Sequence, residues 1–175
     1  TITYTYETLL PMVAVRYGMN LNKLFNQKPS YAMLKNILPN YDVFASENFP
    51  SVAKVVPLRE GVIEVLTKLR EQGHKIIFIT ARSNNSYTDP YLISKEYLDN
   101  NSIPYDKIIV NAREKGIVCK EEKIDLFIDD NLTNCIDVSN QGIEVLMMDA
   151  SYNLNDKEFT HMNNWKQVYE YINQR

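Results

Sequence analysis

Lys75-Ile76-Ile77-Phe78-Ile79-Thr80 decides the fold. An apolar run rich in β-branched residues, without polar alternation, describes a strand buried on both faces, as in a parallel sheet covered by helices. Before it, Val62, Ile63, Leu66 and Leu69 share one helical face, Glu64 and Lys68 pair at i,i+4, and Gly73 stops the helix. After it, Thr88-Asp89-Pro90 supplies a cap and a first-turn proline for a helix through Tyr97 and Leu98 that ends at Asn100-Asn101. Lys107-Ile-Ile-Val110 is then a short second strand.

The scheme repeats downstream. It predicts a helix from Lys115 to Glu122, the strand Ile124-Asp-Leu-Phe-Ile128, a helix from about Asn131 to Ser139 and the strand Glu144-Val-Leu-Met-Met148. Trp165, Val168, Tyr169 and Ile172 have the spacing of a last amphipathic helix on the sheet. Consecutive βαβ units predict an α/β fold, a doubly wound, Rossmann-like parallel sheet whose strand carboxyl ends gather on the ligand-binding edge. Residues 5–56 differ, with three short helical stretches broken by Gly18, Pro29 and Pro39, and they read as a helical insertion. Its aromatics Tyr31, Tyr41, Phe44 and Phe49 are expected in a core more than on a substrate platform, with one or two free to serve a lid.

A chain of 175 residues with 45% hydrophobic composition is sized for one domain with a small insertion. Nineteen basic against 22 acidic side chains, a net charge of -3, lack the basic excess that nucleic-acid binding exploits. Cys119 and Cys135 have neither the spacing nor the histidine partners of a zinc site or a disulfide framework, so a reduced, cytoplasmic setting is expected. No apolar run reaches the roughly 20 residues that span a bilayer, and Thr1-Ile-Thr-Tyr-Thr-Tyr6 lacks a signal-peptide pattern, so no membrane role is expected.

Two strand ends and the start of a predicted helix carry candidate chemistry. Thr80 leads into Ala81-Arg82-Ser83-Asn84, where a hydroxyl and backbone N–H groups can hold a phosphoryl oxygen, although a threonine also simply finishes strands. Asp129 and Asp130 end a buried strand, where two carboxylates need a cation or donors. Magnesium suits them because it takes one or two carboxylates with phosphate and water oxygens. Asp130, next to Asn131, is also placed to cap the following helix, and one residue of the pair is expected in each role. Lys115, 14 residues before Asp129, can neutralise phosphate or be an ordinary surface lysine. His74 and His161 have no evident partner and are expected to be structural.

Taken in order, Ile77-Phe-Ile-Thr80-Ala-Arg82, Lys115 and Leu126-Phe-Ile-Asp129-Asp130 resemble the second, third and fourth motifs of the haloacid dehalogenase superfamily of phosphohydrolases. Gly73-His-Lys-Ile-Ile-Phe-Ile-Thr-Ala-Arg82, Ile103-Pro-Tyr-Asp106 and Asp149-Ala-Ser-Tyr-Asn153 look most like its bacterial 5'-nucleotidase branch, similar to the 5'(3')-deoxyribonucleotidases. The resemblance covers the chain from Pro57. It implies a magnesium-dependent phosphomonoester hydrolase working through an aspartyl-phosphate, with a small phosphorylated substrate, first a nucleoside monophosphate. It assigns catalysis to Thr80, Lys115 and Asp129, phosphate binding to Thr80, Ala81, Arg82 and Lys115, and the metal to Asp129 and Asp130.

The family's first motif, Asp-x-Asp-Gly-Thr, carries the nucleophile and the general acid, and neither aspartate is present here. Thr1-Ile2 resembles the tail of that motif, which implies residues 1–4 as its remnant, 5–56 as a helical cap and 57–175 as the α/β core. The alternative for Thr1 to Tyr6, which alternates β-branched and aromatic residues, is an ordinary edge strand. A doubly wound sheet without its central strand leaves two unpaired inner edges, so the nucleophile is expected upstream of Thr1 and the 175 residues alone are expected to turn over poorly. A degenerate nucleotide- or protein-binding module and a sugar-phosphate phosphatase are the alternatives, and homo-oligomerisation stays open. A response-regulator receiver domain would place its acidic pair first along the chain, whereas Thr80 and Lys115 precede Asp129-Asp130.

Overall fold

The computed structural model describes residues 1–27 and 29–175. Among the described residues four helices come first, α1 (Thr5–Tyr17), α2 (Leu21–Asn26), α3 (Tyr31–Ile37) and α4 (Tyr41–Val55), one more than the sequence suggested. Gly18, in the left-handed conformation at φ 62°, ends α1, and Asn20 and Ser30 cap the next two helices by accepting from Lys23 N and Met33 N. Leu10, Val13, Leu24, Leu34, Leu38, Tyr41 and Phe44 form a buried cluster of their own here. Tyr41 and Phe44 are therefore core, their rings stacked at 5.6 Å, whereas Phe49 is only partly buried and borders the large cavity described below. The Tyr31 side chain and Lys28 lie outside the described residues.

The remainder alternates as expected: α5 (Val62–Glu71), β1 (Ile77–Ile79), α6 (Pro90–Asn100), β2 (Lys107–Ile109), α7 (Lys115–Glu121), β3 (Leu126–Asp129), α8 (Leu132–Ser139), β4 (Glu144–Met148), β5 (Thr160–Met162) and α9 (Trp165–Asn173). Asp89 caps α6 by accepting from Leu92 N at 2.8 Å, with Pro90 beginning the helix. Strand β5 was not foreseen: Thr160-His-Met162 has only three residues and mixed polarity, and its pairing with β4 supplies the order that its composition does not. Asp129 belongs to β3, which starts two residues later than the apolar run does.

All strand pairs are parallel, but they fall into two groups, β1-β2 and β3-β4-β5. Ile77 pairs Lys107 and Ile79 pairs Ile109; Leu126 pairs Glu144 and Asp129 pairs Met147. Neither β1 nor β3 has a strand on its other edge among the described residues. Between these edges runs a cavity of about 1460 Å³, lined by Ile77, Phe78 and Ile79 on one side and Leu126, Phe127 and Ile128 on the other. This slot explains why β1 departs from expectation: all three of its residues are half-buried instead of fully buried. The edge-strand reading of Thr1 to Tyr6 also fails, since α1 begins at Thr5 and Thr3 makes only one isolated antiparallel bridge, to Leu58.

The main core, with Val62, Leu66, Leu146, Met148, Trp165 and Val168, sits between the strands and helices α5 and α9. A smaller cluster of Cys119, Phe127, Cys135, Val138 and Met147 fixes α7 and α8 against β3 and β4. No helix among the described residues is long and apolar enough to cross a membrane.

Candidate active site

Lys115 and Asp129 form the centre of the site. Gly116, directly after Lys115, donates its N–H to Asp137 Oδ2 at 2.7 Å, and a Cβ at this position would lie 2.5 Å from the Asp137 carbonyl oxygen. The absence of a side chain thus lets the start of α7 approach α8 and carries Lys115 to the end of β3. Lys115 Nζ donates to Asp129 Oδ2 at 2.6 Å, and the two residues are 8% and 5% exposed. Asn134 Nδ2, from the first turn of α8, donates to the same oxygen at 2.9 Å. Asp129 Oδ1 accepts from Asp130 N (2.8 Å), Asn131 N (3.3 Å) and the Thr1 hydroxyl (3.2 Å). A buried carboxylate is tolerated here because charge and donors surround it.

Asp130 does not cap α8. Asn131 takes that role, accepting from Asn134 N at 3.2 Å, a cap worth about 1 kcal/mol. Asp130 instead faces Thr1: its Oδ1 lies 2.6 Å from the α-ammonium and accepts from the Thr1 hydroxyl at 2.8 Å. Its Oδ2 accepts from the Tyr152 hydroxyl. Burial by itself pushes the Asp130 carboxyl upward, but the ammonium charge, with the hydrogen bonds from the Thr1 amine, Tyr152 and the Thr1 hydroxyl, holds it well below the usual carboxylate range.

Thr80 lines the same slot as Thr1, Lys115, Asp129 and Asp130. Its N–H and C=O continue the ladder to Ile109 O and Ala112 N, at 2.9 and 3.0 Å, which fixes the strand end. Arg82 N, expected as a donor to phosphate, donates to Thr80 Oγ1 at 3.2 Å. The Arg82 guanidinium reaches Ser94 Oγ at 3.1 Å and lies 5.7 Å from the Tyr87 ring centroid, so it is braced against α6. Ala81 is exposed at the slot wall.

Asn134, Tyr152 and Asn153 complete the arrangement and were given no role from sequence. Asn153 Nδ2 donates to Asp130 O at 2.8 Å and Met148 O at 3.0 Å. The signal lay in position alone: Asn134 falls one helical turn after the aspartates, and Tyr152 and Asn153 follow the next strand end. His161 departs from expectation, since its Nδ1 lies 2.5 Å from Asp149 Oδ1; His74 is exposed.

Residues 26–175 match the family described as 5' nucleotidase, deoxy (pyrimidine), cytosolic type C protein. A nucleotidase of Clostridium acetobutylicum is 35% identical over 115 residues, covering 64% of this chain and 57% of that relative, so the match spans little more than half the relative's length. Among solved structures, a haloacid dehalogenase-like hydrolase of Streptococcus pneumoniae matches with a TM-score of 0.63 at 11% identity, over 98% of this chain and 93% of the other. A haloacid dehalogenase-superfamily hydrolase of Ehrlichia chaffeensis matches with a TM-score of 0.56 at 13% identity, over 96% and 87%. The latter two likenesses establish the fold, and the family match over most of the sequence establishes the lineage: the chain belongs to the cytosolic type C 5' nucleotidase family.

Proposed function

We propose that this protein is a magnesium-dependent phosphomonoester hydrolase that releases phosphate from nucleoside or deoxynucleoside monophosphates. The observation that supports it most is the unequal treatment of two adjacent carboxylates: Asp129 is neutralised internally by Lys115, while the side chains that Asp130 accepts from are the neutral hydroxyls of Thr1 and Tyr152. The donor set of two hard, buried oxygen ligands suits magnesium, which fills its remaining positions with water and phosphate oxygens. The resemblance implied Asp129 as the direct ligand; in this reading Asp130 takes that place and Asp129 supports it, because Lys115, Asn134 and backbone N–H groups already engage both Asp129 oxygens. When bound, the ion offsets charge on the phosphoryl oxygens.

The chain's own residues orient the substrate. Thr80 offers its hydroxyl to a phosphoryl oxygen, the Ala81-Arg82 backbone borders it, and Lys115, oriented by Asp129, balances its charge. The slot between β1 and β3 accommodates one more apolar parallel strand, adjoining Thr1 and carrying the two aspartates of the first motif. One carboxylate oxygen there attacks phosphorus as the ester P–O bond breaks, and the second aspartic acid protonates the departing alcohol. The second carboxylate then takes a proton from water, whose oxygen cleaves the acyl phosphate and frees phosphate. Residues 5–56 form the cap over the slot and 57–175 the core. We place the protein in the cytoplasm on the strength of the two buried, unpaired thiols Cys119 and Cys135.

The test is phosphate release by the full-length protein from deoxynucleotides, ribonucleotides and hexose phosphates, with and without magnesium. Nucleotides are expected to be preferred. A preference for sugar phosphates overturns the substrate assignment, and tight nucleotide binding without turnover identifies a binding module instead.

A further inference from the structure

The loop after β4 is built to present one hydroxyl. Asp149 N donates to Met162 O at 2.8 Å, Arg59 Nη1 donates to Asp149 O at 2.9 Å, and the Asp149 carboxylate lies against His161. The loop root is thus tied to β5 and to the segment before α5. Asn153, 5% exposed, accepts from Ala150 N at 2.9 Å while its amide group spans the carbonyls of Met148 and Asp130. Between these anchors stands Tyr152, whose hydroxyl donates to Asp130 Oδ2. Its ring meets Tyr6 edge-on, with centroids 4.9 Å apart and planes at 60°. Tyr6 belongs to α1, so the contact joins the helical segment to the carboxylate pair.

We propose that Tyr152 is a positioning residue that fixes the cation-binding carboxylate of Asp130, and that Tyr6 makes this position depend on where α1 sits. Two kinds of contact hold Asp130. Those from Thr1 lie on Oδ1, the oxygen that a cation would take, whereas Tyr152 lies on Oδ2 and leaves Oδ1 available. A carboxylate oriented by a second hydrogen bond presents its free oxygen in one direction, and removal of such a partner commonly weakens metal binding by about 10- to 100-fold. The edge-on ring pair adds a mechanical consequence: displacement of α1 changes the packing of the Tyr152 ring and hence the direction of Asp130. Closure of the helical segment over the slot and readiness of the metal site are then one event.

This inference rests on the magnesium reading above, and its test separates the two. Magnesium alone is titrated calorimetrically into the full-length protein, as wild type and as Tyr152→Phe, Tyr6→Leu and Tyr105→Phe, with thermal midpoints measured in parallel. Tyr105 is the control, since its hydroxyl donates to Asp99 Oδ1 at 2.8 Å at an exposed position. About tenfold weaker binding is expected for Tyr152→Phe, at least about threefold for Tyr6→Leu and no change beyond about twofold for Tyr105→Phe, with midpoints close to wild type. Wild-type affinity in Tyr152→Phe overturns the positioning role and leaves the magnesium site standing. A wild type that binds no magnesium overturns both. Should Tyr152→Phe fail to fold, Tyr6→Leu, which keeps the hydroxyl, decides: affinity unchanged from wild type overturns the coupling and the proposal with it.

Discussion

Lys115 Nζ stands 2.6 Å from Asp129 Oδ2, with a tenth or less of either side chain exposed. Lys115→Met leaves the Asp129 carboxylate buried with only neutral donors, so a loss of about 3–5 kcal/mol is expected in urea unfolding. Lys115→Met combined with Asp129→Asn is expected to recover much of that loss, because the stranded charge is gone. Equal stability of the single and double variants would show that the pair is not energetically coupled.

Gly116→Ala tests the approach of α7 to α8. A methyl group 2.5 Å from the Asp137 carbonyl oxygen forces the two helices apart, with about 1–3 kcal/mol lost. Because Lys115 is the preceding residue, the variant is also expected to weaken inorganic phosphate binding, which competition calorimetry would detect. Unchanged stability would mean that the helices part without strain.

The pH dependence follows from Asp130. Its folded carboxyl lies well below the unfolded value of about 3.9, so the folded state binds this proton less tightly than the unfolded state does. The stabilisation is complete above about pH 5 and is lost progressively as the pH falls below about 4 toward the folded value. In the 175-residue chain, unfolding free energies between pH 2 and 6 should therefore fall less steeply for Asp130→Asn than for wild type. Parallel curves would remove Asp130 from the acid response.

Burial raises the Cys119 thiol to about 11 and the Cys135 thiol to about 12. At pH 8 the thiolate fraction of Cys119 is on the order of one in a thousand, and neither side chain is accessible. A colorimetric thiol reagent is expected to titrate both cysteines in denaturant and neither in the native protein within minutes. Rapid native labelling of either residue would show local opening of α7 or α8.

The parts visible in the sequence were those set by local rules. The apolar run at Ile76–Ile79, the Asp89-Pro90 cap and the face of Trp165, Val168 and Ile172 each dictate their element without reference to the rest of the chain. β5 could not be read this way, because Thr160-His-Met162 becomes a strand only by pairing beside β4. The half-burial of β1 was equally invisible, since it depends on what lies across from an edge. At the site, Lys115 announced itself as a charge at a helix start and the aspartates as charges at a strand end. Asn134, Tyr152 and Asn153 are neutral, and their roles arise from lines of approach that spacing does not encode. Asp130 against Asn131 as the cap was a local ambiguity, which the pull of Thr1 and Tyr152 on Asp130 resolves.

The contact of Thr1 with Asp130 spans 129 positions of sequence. Synthesis from the amino terminus releases Thr1 well before β3, and it must wait for β3 before it meets its partners. Closing so long a loop carries an entropic cost that no local element repays, so this contact belongs to the last stage of folding. The constellation at the end of β3 therefore assembles only once the intervening helices and strands are in place, and half-made copies of the protein lack the Thr1 contacts at this carboxylate pair.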